Sequence, residues 1–352
     1  MKKKICVIVN PISGKGKNRF LAEKILSEFE PEQYETVLFF SQAPLHSTEL
    51  ARQAVAKGAD VVVAVGGDGS INEVGHGLIG SDTALAIIPT GSGNGLARHL
   101  KIPLELNKAV AVIKQGHSTL IDAVQVNDRF FFSAAGIGFD AEVGWSFSKF
   151  GHRGFLSYIF VSLREFLKHR PSVYDLLIDG KKLSREAFLI SFANGSQFGN
   201  GAVIAPNAQI DDGSVDVVIL KKFPLFAVPM LVYQLFNRTI DQSKYVEIFK
   251  AKNIAVDQPD LRDRSEINFT VIEEKNGSDF ENFSAADISV HLCKEKSSID
   301  ESIFPSRTVK VISERSLKGH VDGEPILLQG NMQVSVVPSA LKVIVGTYTQ
   351  TT

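Results

Sequence analysis

Two glycine-rich loops contain the residues best suited to chemistry. The first runs Gly66-Gly67-Asp68-Gly69-Ser70 and the second runs Thr90-Gly91-Ser92-Gly93-Asn94, and each follows an apolar run, DVVVAV or ALAIIP. Glycine lets the backbone approach a bulky ligand, and N–H groups at a helix start form a positively polarised cradle for phosphate. The carboxylate of Asp68 indicates a metal-bound polyphosphate, although it is also a plausible N-cap for the following helix. Together the loops predict one nucleotide site.

A third loop near the N-terminus has the same character. It runs Asn10-Pro11-Ile12-Ser13-Gly14-Lys15-Gly16 directly after the apolar run ICVIV. Ser13 and the glycine N–H groups can contact phosphates, and Lys15 adds positive charge. The loop is not a P-loop, because the G-x-x-x-x-G-K-[ST] spacing is absent. By itself it is a weak signal, but three such loops are unlikely to arise together by accident.

Two further segments contain acids on short turns. Asp322-Gly323-Glu324 places two carboxylates on one turn, and transfer of a phosphoryl group to an alcohol needs a carboxylate that accepts the hydroxyl proton. The residues alone favour a polar hairpin turn there. Asp211-Asp212-Gly213 fits a turn between strands, and its oxygen ligands also suit a hard cation. Both interpretations stay open for each segment.

The elements that must position these loops form an alternating series in the first third of the chain. Strand-like runs alternate with helical patterns in βαβαβαβ order, and Ser47 is the predicted cap of the helix in HSTELARQAVAKG. Near-continuous apolar strands predict a parallel sheet covered by helices. Ligands of such sheets bind beyond the carboxyl ends of the strands, where the loops fall. We therefore predict an α/β nucleotide-binding domain over residues 1–120.

The pattern changes to short strands from about residue 121. These strands predict a β-sandwich domain over residues 121–352, interrupted by helices at Phe155–Lys168 and Leu225–Phe236. A charged insertion over about 258–306 is predicted to contain a hairpin of INFTVIE with ADISVHL, and Cys293 follows directly. Whether the final strand returns to the sheet of the first domain stays open.

Composition restricts the class of protein. The net charge of −1 gives no support for a nucleic-acid partner, and two cysteines fit a reducing compartment. The longest apolar run, Pro224 to Phe236, is too short for a membrane span of about 20 residues. We expect a cytoplasmic protein.

The loops in their order and spacing resemble a known family. NPISGKGK, VGGDGSINEV, IIPTGSGNGLARHL, the segment GNGAVIAPNAQIDDGSVDVVIL and HVDGEP are similar to the catalytic domain of soluble diacylglycerol kinases, which are related to sphingosine and ceramide kinases. The resemblance implies transfer of phosphate from ATP to a lipid hydroxyl with Mg²⁺. It also implies a nucleotide in the cleft between an α/β domain and a β-sandwich.

The resemblance assigns roles to individual positions. Asp322, Glu324 and Asp68 match its catalytic acids; Glu324 stands where the proton acceptor is assigned, and the choice between Glu324 and Asp322 stays open. Gln209, Asp212 and Ser214 match a structural Mg²⁺ site of bacterial relatives. The nucleotide-binding positions are Asn10, Ser13, Gly14, Lys15, Ser41, Gly66, Gly67, Asp68, Gly69, Ser70, Asn72, Ser92 and Asn94.

Two other functions and the acceptor stay open. NAD kinases also carry a GGDG loop, although their PTGS segment is expected farther downstream, and a non-catalytic regulator that binds nucleotide or lipid is the other alternative. The acceptor is expected to be diacylglycerol or a sphingoid-type lipid. The apolar stripe of Phe155–Lys168, with Arg164, Lys168, His169 and Arg170 near its end, suits either core packing or peripheral contact with the inner face of a membrane. A homodimer is a further open expectation.

Overall fold

The computed structural model describes residues 2–13, 18–150, 155–258, 271–273, 309–311, 316–329 and 331–346. The strands are β1 (Lys3–Val9), β2 (Tyr34–Phe40), β3 (Val61–Gly66), β4 (Ala84–Pro89), β5 (Ser118–Val126), β6 (Arg129–Phe131), β7 (Ala134–Gly138), β8 (Ser172–Ile178), β9 (Lys181–Ala193), β10 (Gln197–Gly199), β11 (Ala202–Val203), β12 (Val215–Lys221), β13 (Val246–Ala251), β14 (Asn253–Asp257), β15 (Val271–Glu273), β16 (Val309–Val311), β17 (Ser316–Val321), β18 (Glu324–Gln329) and β19 (Met332–Ile344). The helices are α1 (Asn18–Ser27), α2 (His46–Ala56), α3 (Asp68–Leu78), α4 (Gly95–His99), α5 (Leu106–Gln115), α6 (Phe139–Lys149), α7 (Phe155–Lys168) and α8 (Val228–Phe236), with 3₁₀ turns at Leu225–Ala227 and Ile240–Gln242.

The first region is a parallel sheet in the order β4-β3-β1-β2. Every residue of β3 and β4 is buried, as expected for strands covered on both faces. Helices α1, α2, α3 and α5 contribute buried side chains such as Ile25, Leu50, Leu78 and Ile113 to the core around this sheet. The predicted α/β architecture is confirmed. Phe20, near the start of α1, is 84% exposed, because the buried face of this short helix runs through Ala22 and Ile25.

The start of α2 corrects a prediction. Ser47 is not the cap: Leu45 precedes the helix in the left-handed region, with φ 65° and no side-chain cap bond. The carboxylate of Glu73 in α3 instead accepts the N–H groups of Leu45 (2.9 Å) and Ser47 (3.3 Å). A carboxylate satisfies free N–H groups at a helix start as a local cap does. The cap therefore comes from a neighbouring helix, which ties α2 to the helix that follows the GGDG loop.

The second region is built from antiparallel strands around its own core. Strands β7, β8, β9, β12, β13 and β14 pair antiparallel with one another, and the β17–β18 hairpin pairs with β7. Buried residues such as Ile190, Phe192 and Val217 fill this core. β19 pairs antiparallel with β5 and β14 and parallel with β4 through Val343 and Leu85, so the final strand joins the sheets of both regions.

The charged insertion is described over a short part only. β15 lies in the predicted strand INFTVIE but pairs antiparallel with β16 at 309–311. The predicted partner ADISVHL (286–292) and Cys293 lie outside the described residues. The hairpin of those two segments therefore stays a prediction.

Both helices predicted in the second region are present, and α7 divides its apolar stripe between two environments. Phe160, Leu163 and Leu167 are exposed, whereas Phe166 contacts the rings of Phe139 and Phe188. His169, for which core packing and membrane contact were both open, is buried; its ring nitrogens bond Glu142 (2.7 Å) and the carbonyl of Phe188 (2.8 Å). Within the described ranges, no helix combines the length and apolarity needed to cross a membrane.

Candidate active site

The described residues of the three glycine-rich loops, which for the first loop are residues 10–13, meet at the carboxyl edge of the parallel sheet. The side-chain amide of Asn10, after β1, donates to Ser70 Oγ in α3 (2.9 Å). A Cβ on Gly91, after β4, would lie only 2.6 Å from the Cα of Gly67, so this close approach requires glycine. Ser13 Oγ is 3.8 Å from the position that a Cβ on Gly67 would occupy. The loops that the sequence singled out therefore share one surface.

Asp68 connects two of these loops. Its carboxylate accepts the N–H groups of Asn94 (2.8 Å) and Gly95 (2.6 Å), the first free donors of α4. The N-cap interpretation was therefore right about the type of contact and wrong about the helix, since Asp68 caps α4 and Gly67 precedes α3. Burial raises the pKa of Asp68 to about 6, nearby Asp322 adds to the rise, and the backbone N–H groups oppose it.

The remaining positions predicted to bind nucleotide differ in what their side chains do. Asn94 is buried with φ 54°, and its amide accepts from the N–H of Gly91 (3.0 Å) and donates to the carbonyl of Gly91 (2.8 Å), so it shapes the loop. Ser92 is exposed, and Ser41 is buried at the end of β2, where its N–H donates to Val9. Gly14 and Lys15 lie outside the described residues.

Asp322 is a half-buried connection between the two regions. It occupies the β17–β18 turn with φ 44°, and its carboxylate accepts the N–H groups of Phe132 (3.0 Å), Ser133 (2.8 Å) and Ala134 (3.1 Å). A fourth donor is the side-chain amide of Asn72 (2.8 Å), which also donates to the carbonyl of Phe130. Burial raises the pKa of Asp322, and these four donors oppose the rise. Asp322 and Asn72 therefore attach the hairpin to α3.

Glu324, two residues farther along, has a different environment. The residue is exposed, and its carboxylate lies directly over Gly69 in the first turn of α3. A Cβ on Gly69 would collide with Glu324 Oε1 and would lie 3.1 Å from its carboxyl carbon. Glycine at position 69 thus makes room for this acid. The fold brings together all three acids proposed as catalytic, Asp68, Asp322 and Glu324, around one helix start.

A segment of the second region for which no role at the site was predicted closes the other side of the site. The loop at 197–201 packs on the PTGSGN loop: the carbonyl oxygens of Gln197 and Phe198 lie 3.3 Å from a Cβ position on Gly95, and the N–H of Asn200 donates to Gly93 (3.3 Å). Gly199 has φ 126°, which only glycine adopts readily. The G-N-G pattern at 199–201 was the available signal for this turn.

The contacts of the segment at residues 209–214 differ from those of the structural metal site that the resemblance implies. Asp212 Oδ1 accepts the N–H (3.0 Å) and the hydroxyl (2.6 Å) of Ser214, and Asp212 Oδ2 forms an ion pair with Lys250 Nζ. Gln209 is exposed. In the described part of the chain, no group of three or more His, Cys, Asp or Glu side chains is arranged to hold a metal. With an ammonium group on its carboxylate, this loop does not fit a structural Mg²⁺.

Comparison with known proteins places this site in a family. Residues 4–126 match the diacylglycerol kinase catalytic domain, and residues 133–277 match the YegS C-terminal NAD kinase beta sandwich-like domain. A diacylglycerol kinase of Bacillus subtilis is 33% identical over 225 residues, which cover 62% of this chain and 74% of the relative. This chain belongs to the diacylglycerol kinase family. It is therefore a lipid kinase with ATP as co-substrate, and the β-sandwich prediction for its second region is confirmed.

Two further similarities agree with the assignment. A diacylglycerol kinase of Mycobacterium tuberculosis is 28% identical over 266 residues, covering 73% of this chain and 86% of the relative. The crystal structure of a diacylglycerol kinase from Bacillus anthracis superposes with a TM-score of 0.62, covering 98% of this chain and 97% of that chain. The sequence identity of that pair is 18%, so the superposition supports the fold alone.

Proposed function

We propose that this chain transfers the γ-phosphate of ATP to the free hydroxyl of diacylglycerol, with Mg²⁺ accompanying ATP. The names of the relatives favour diacylglycerol over a sphingoid-type acceptor. The observation that carries the proposal is the position of the Glu324 carboxylate over Gly69, at the start of the helix that follows the GGDG loop. A base must lie within hydrogen-bond reach of the proton that it accepts, and Glu324 is exposed, so a substrate hydroxyl can approach it.

The two acids of the DGE turn have separate roles in this proposal. Glu324 takes the hydroxyl proton while the lipid oxygen bonds to the γ-phosphorus and the bond to the β–γ bridging oxygen breaks, which releases ADP. Asp322 already receives four hydrogen bonds, so we assign it the task of holding the hairpin against α3. The backbone N–H groups of the glycine-rich loops bind the phosphates.

Asp68 is the proposed residue for the Mg²⁺ that accompanies ATP. Each of its carboxylate oxygens accepts one backbone N–H, so each retains a lone pair for a hard cation. When bound there, Mg²⁺ would neutralise charge on the phosphates. The contribution of the chain is to hold this carboxylate at the meeting point of two phosphate loops.

The test is phosphoryl transfer from radiolabelled ATP to mixed micelles of diacylglycerol, a sphingoid base or ceramide, in Mg²⁺ or in EDTA. We expect Mg²⁺-dependent label in diacylglycerol. Glu324→Gln should lower kcat by about 10²–10⁴-fold while thermal unfolding and ATP binding stay at wild-type values. Asp322→Asn is the matched control and should lower the unfolding temperature. Label in NAD, no lipid product despite bound ATP, or full activity of Glu324→Gln would contradict the proposal.

We also propose that the protein meets its substrate as a peripheral membrane protein. The surface consists of exposed apolar residues from two segments, and we term it the apolar face. Helix α7 contributes Phe160, Leu163 and Leu167. Helix α8 and the turn before it contribute Leu225, Phe226, Met230, Val232, Tyr233 and Phe236. The segments adjoin, because the ring of Phe166 in α7 stacks on that of Phe223 at 6.2 Å. Arg164, Lys168 and Arg170 are exposed on or just after α7, and basic residues beside apolar ones favour an anionic lipid surface.

Sedimentation with phosphatidylglycerol vesicles tests the apolar face. Leu163→Glu combined with Phe226→Glu should reduce the bound fraction several-fold, whereas Leu104→Glu, an exposed apolar residue of the first region, should leave it unchanged. Activity on short-chain diacylglycerol below its micelle concentration should not change. Equal binding of both variants would contradict this surface.

The homodimer stays a prediction, and the described sheet offers one place for it. Among the described strands β2 stands at the end of the order and pairs with β1, so its outer edge is where a second copy could add a strand. Light scattering on the purified chain separates a 38.4 kDa monomer from a particle of twice that mass.

A further inference from the structure

We propose that Lys250 supplies, within the chain, the positive charge that the resemblance assigns to a structural metal at residues 209–214. The loop in question contains Asp212, the one carboxylate among the three positions that match the metal site. Its Oδ2 is in contact with Lys250 Nζ, and its Oδ1 is bonded twice by Ser214. Both oxygens that would face a metal are therefore bound by groups of the protein.

The sheet fixes Lys250 at this place. Lys250 lies on β13 directly opposite Asp216 on β12, the strand that begins right after the 209–214 loop. Asp216 is buried and interacts electrostatically with Lys250, so one ammonium group serves two carboxylates. A divalent cation on Asp212 would face the like charge of Lys250 at close range, and such repulsion is strong near a partly buried site. Lysine and metal are thus mutually exclusive at this carboxylate.

The rest of the loop is also held by protein groups. Asp122 of β5 is 1% exposed, and its carboxylate accepts the N–H of Gly213 (2.6 Å) and the N–H of Ser339 in β19 (2.8 Å). The N–H of Asp122 donates to the carbonyl of Ile210 (2.8 Å). The loop is thereby fastened to β5 and to β19, the strand that joins the sheets of both regions. The ion pair of Asp212 with Lys250 completes this fastening on the side of β12 and β13.

The consequence is a stability that does not require a bound divalent cation at this loop. We expect the unfolding temperature of the nucleotide-free wild-type chain to be the same in Mg²⁺ and in EDTA. Lys250→Met, which keeps the length of the side chain and removes its charge, should lower the unfolding temperature in EDTA by about 2–4 °C. Mg²⁺ should then restore it, because the carboxylate has become available. Lys250→Arg should behave as the wild type in both buffers.

One control variant and the absence of nucleotide make the experiment decisive whether or not the proposed kinase activity is correct. Lys250→Met combined with Asp212→Asn should lose the Mg²⁺ effect, which locates the ion at this loop and not at Asp68. Each reading is a melting temperature without nucleotide or lipid, so failure of the kinase assay leaves it unaffected. A wild-type chain that Mg²⁺ stabilises, with the effect removed by Asp212→Asn, would overturn the proposal. So would a Lys250→Met chain that Mg²⁺ does not stabilise.

Discussion

The GGDG loop of the first region and the Asp211-Asp212-Gly213 loop of the second region both contain an aspartate followed by a glycine, but the two aspartates have different electrostatic surroundings. In each, an aspartate carboxylate accepts hydrogen bonds from donors in its own region, as Asp68 does from Asn94 and Gly95 and Asp212 does from Ser214. Asp68 is half-buried beside a second acid, and the partial loss of solvation raises its pKa to about 6. Asp212 lies beside Lys250, and although burial opposes the shift, hydrogen bonds from Lys250 and Ser214 hold its pKa below the usual range.

Under the proposed function, this difference in local charge separates a ligand site at Asp68 from a structural joint at Asp212. A carboxylate with only backbone donors keeps its charge available for a cation that arrives with a substrate. A carboxylate neutralised by lysine has its charge satisfied inside the fold, and such a half-exposed pair adds a modest amount to stability. The following substitutions and conditions compare the two loops directly.

Removing the carboxylate of Asp68 or that of Asp212 should give the largest difference in activity between the two loops. Asp68→Asn should lower kcat/KM for lipid phosphorylation by about 10²–10³-fold, because charge stabilisation at the phosphates is lost. Asp212→Asn should keep kcat/KM within about threefold and lower the unfolding temperature instead. Steady-state kinetics and thermal unfolding of both variants check this, and a similar activity loss in both would remove the distinction.

Alanine at the glycine after each acid should give a smaller contrast. Gly69→Ala places a Cβ against the Glu324 carboxylate and displaces it, so we expect kcat to fall by about tenfold to 10²-fold. Gly213 has φ 70° and open space around it, with Pro338 Cγ at 3.9 Å, so Gly213→Ala should cost about 1–2 kcal/mol of unfolding free energy and little activity. If Gly69→Ala is fully active, Glu324 does not act at this position.

The pH dependence of activity should show a tenfold effect at most between pH 7 and pH 5. Asp68 must be ionised to hold Mg²⁺, and with a pKa of about 6 its ionised fraction at pH 5 is about one in eleven. Activity should therefore fall about tenfold as the pH drops from 7 to 5. Asp212 stays ionised throughout, because its pKa is lowered, and Asp212→Asn should leave the profile unchanged. A flat wild-type profile down to pH 5 would show that Asp68 ionisation is not required.

Much of the fold and the main site could be predicted from sequence because their signals are local. Continuous apolar runs such as Val61–Gly66 indicate buried parallel strands, and their order along the chain places the loops at one edge of the sheet. The cap of α2 could not be predicted, since it comes from Glu73 in another helix. The buried position of His169 depends likewise on Glu142 and Phe188, which lie far from it in the chain.

The sequence by itself determined which residue types are present at the site: three glycine-rich loops and a turn with two acids, each readable within a few positions. Only the tertiary structure decided what each acid contacts. The amide of Asn72 reaches Asp322 across 250 positions, and the N–H of Phe132 reaches it across 190, so no local pattern reveals that Asp322 is occupied while Glu324 is exposed. Likewise, Lys250 contacts Asp212 across 38 positions, and no local pattern reveals this ion pair. The charge around an acid and its hydrogen-bond partners depend on which side chains surround it in the folded protein. Tertiary packing decides this, not spacing along the chain.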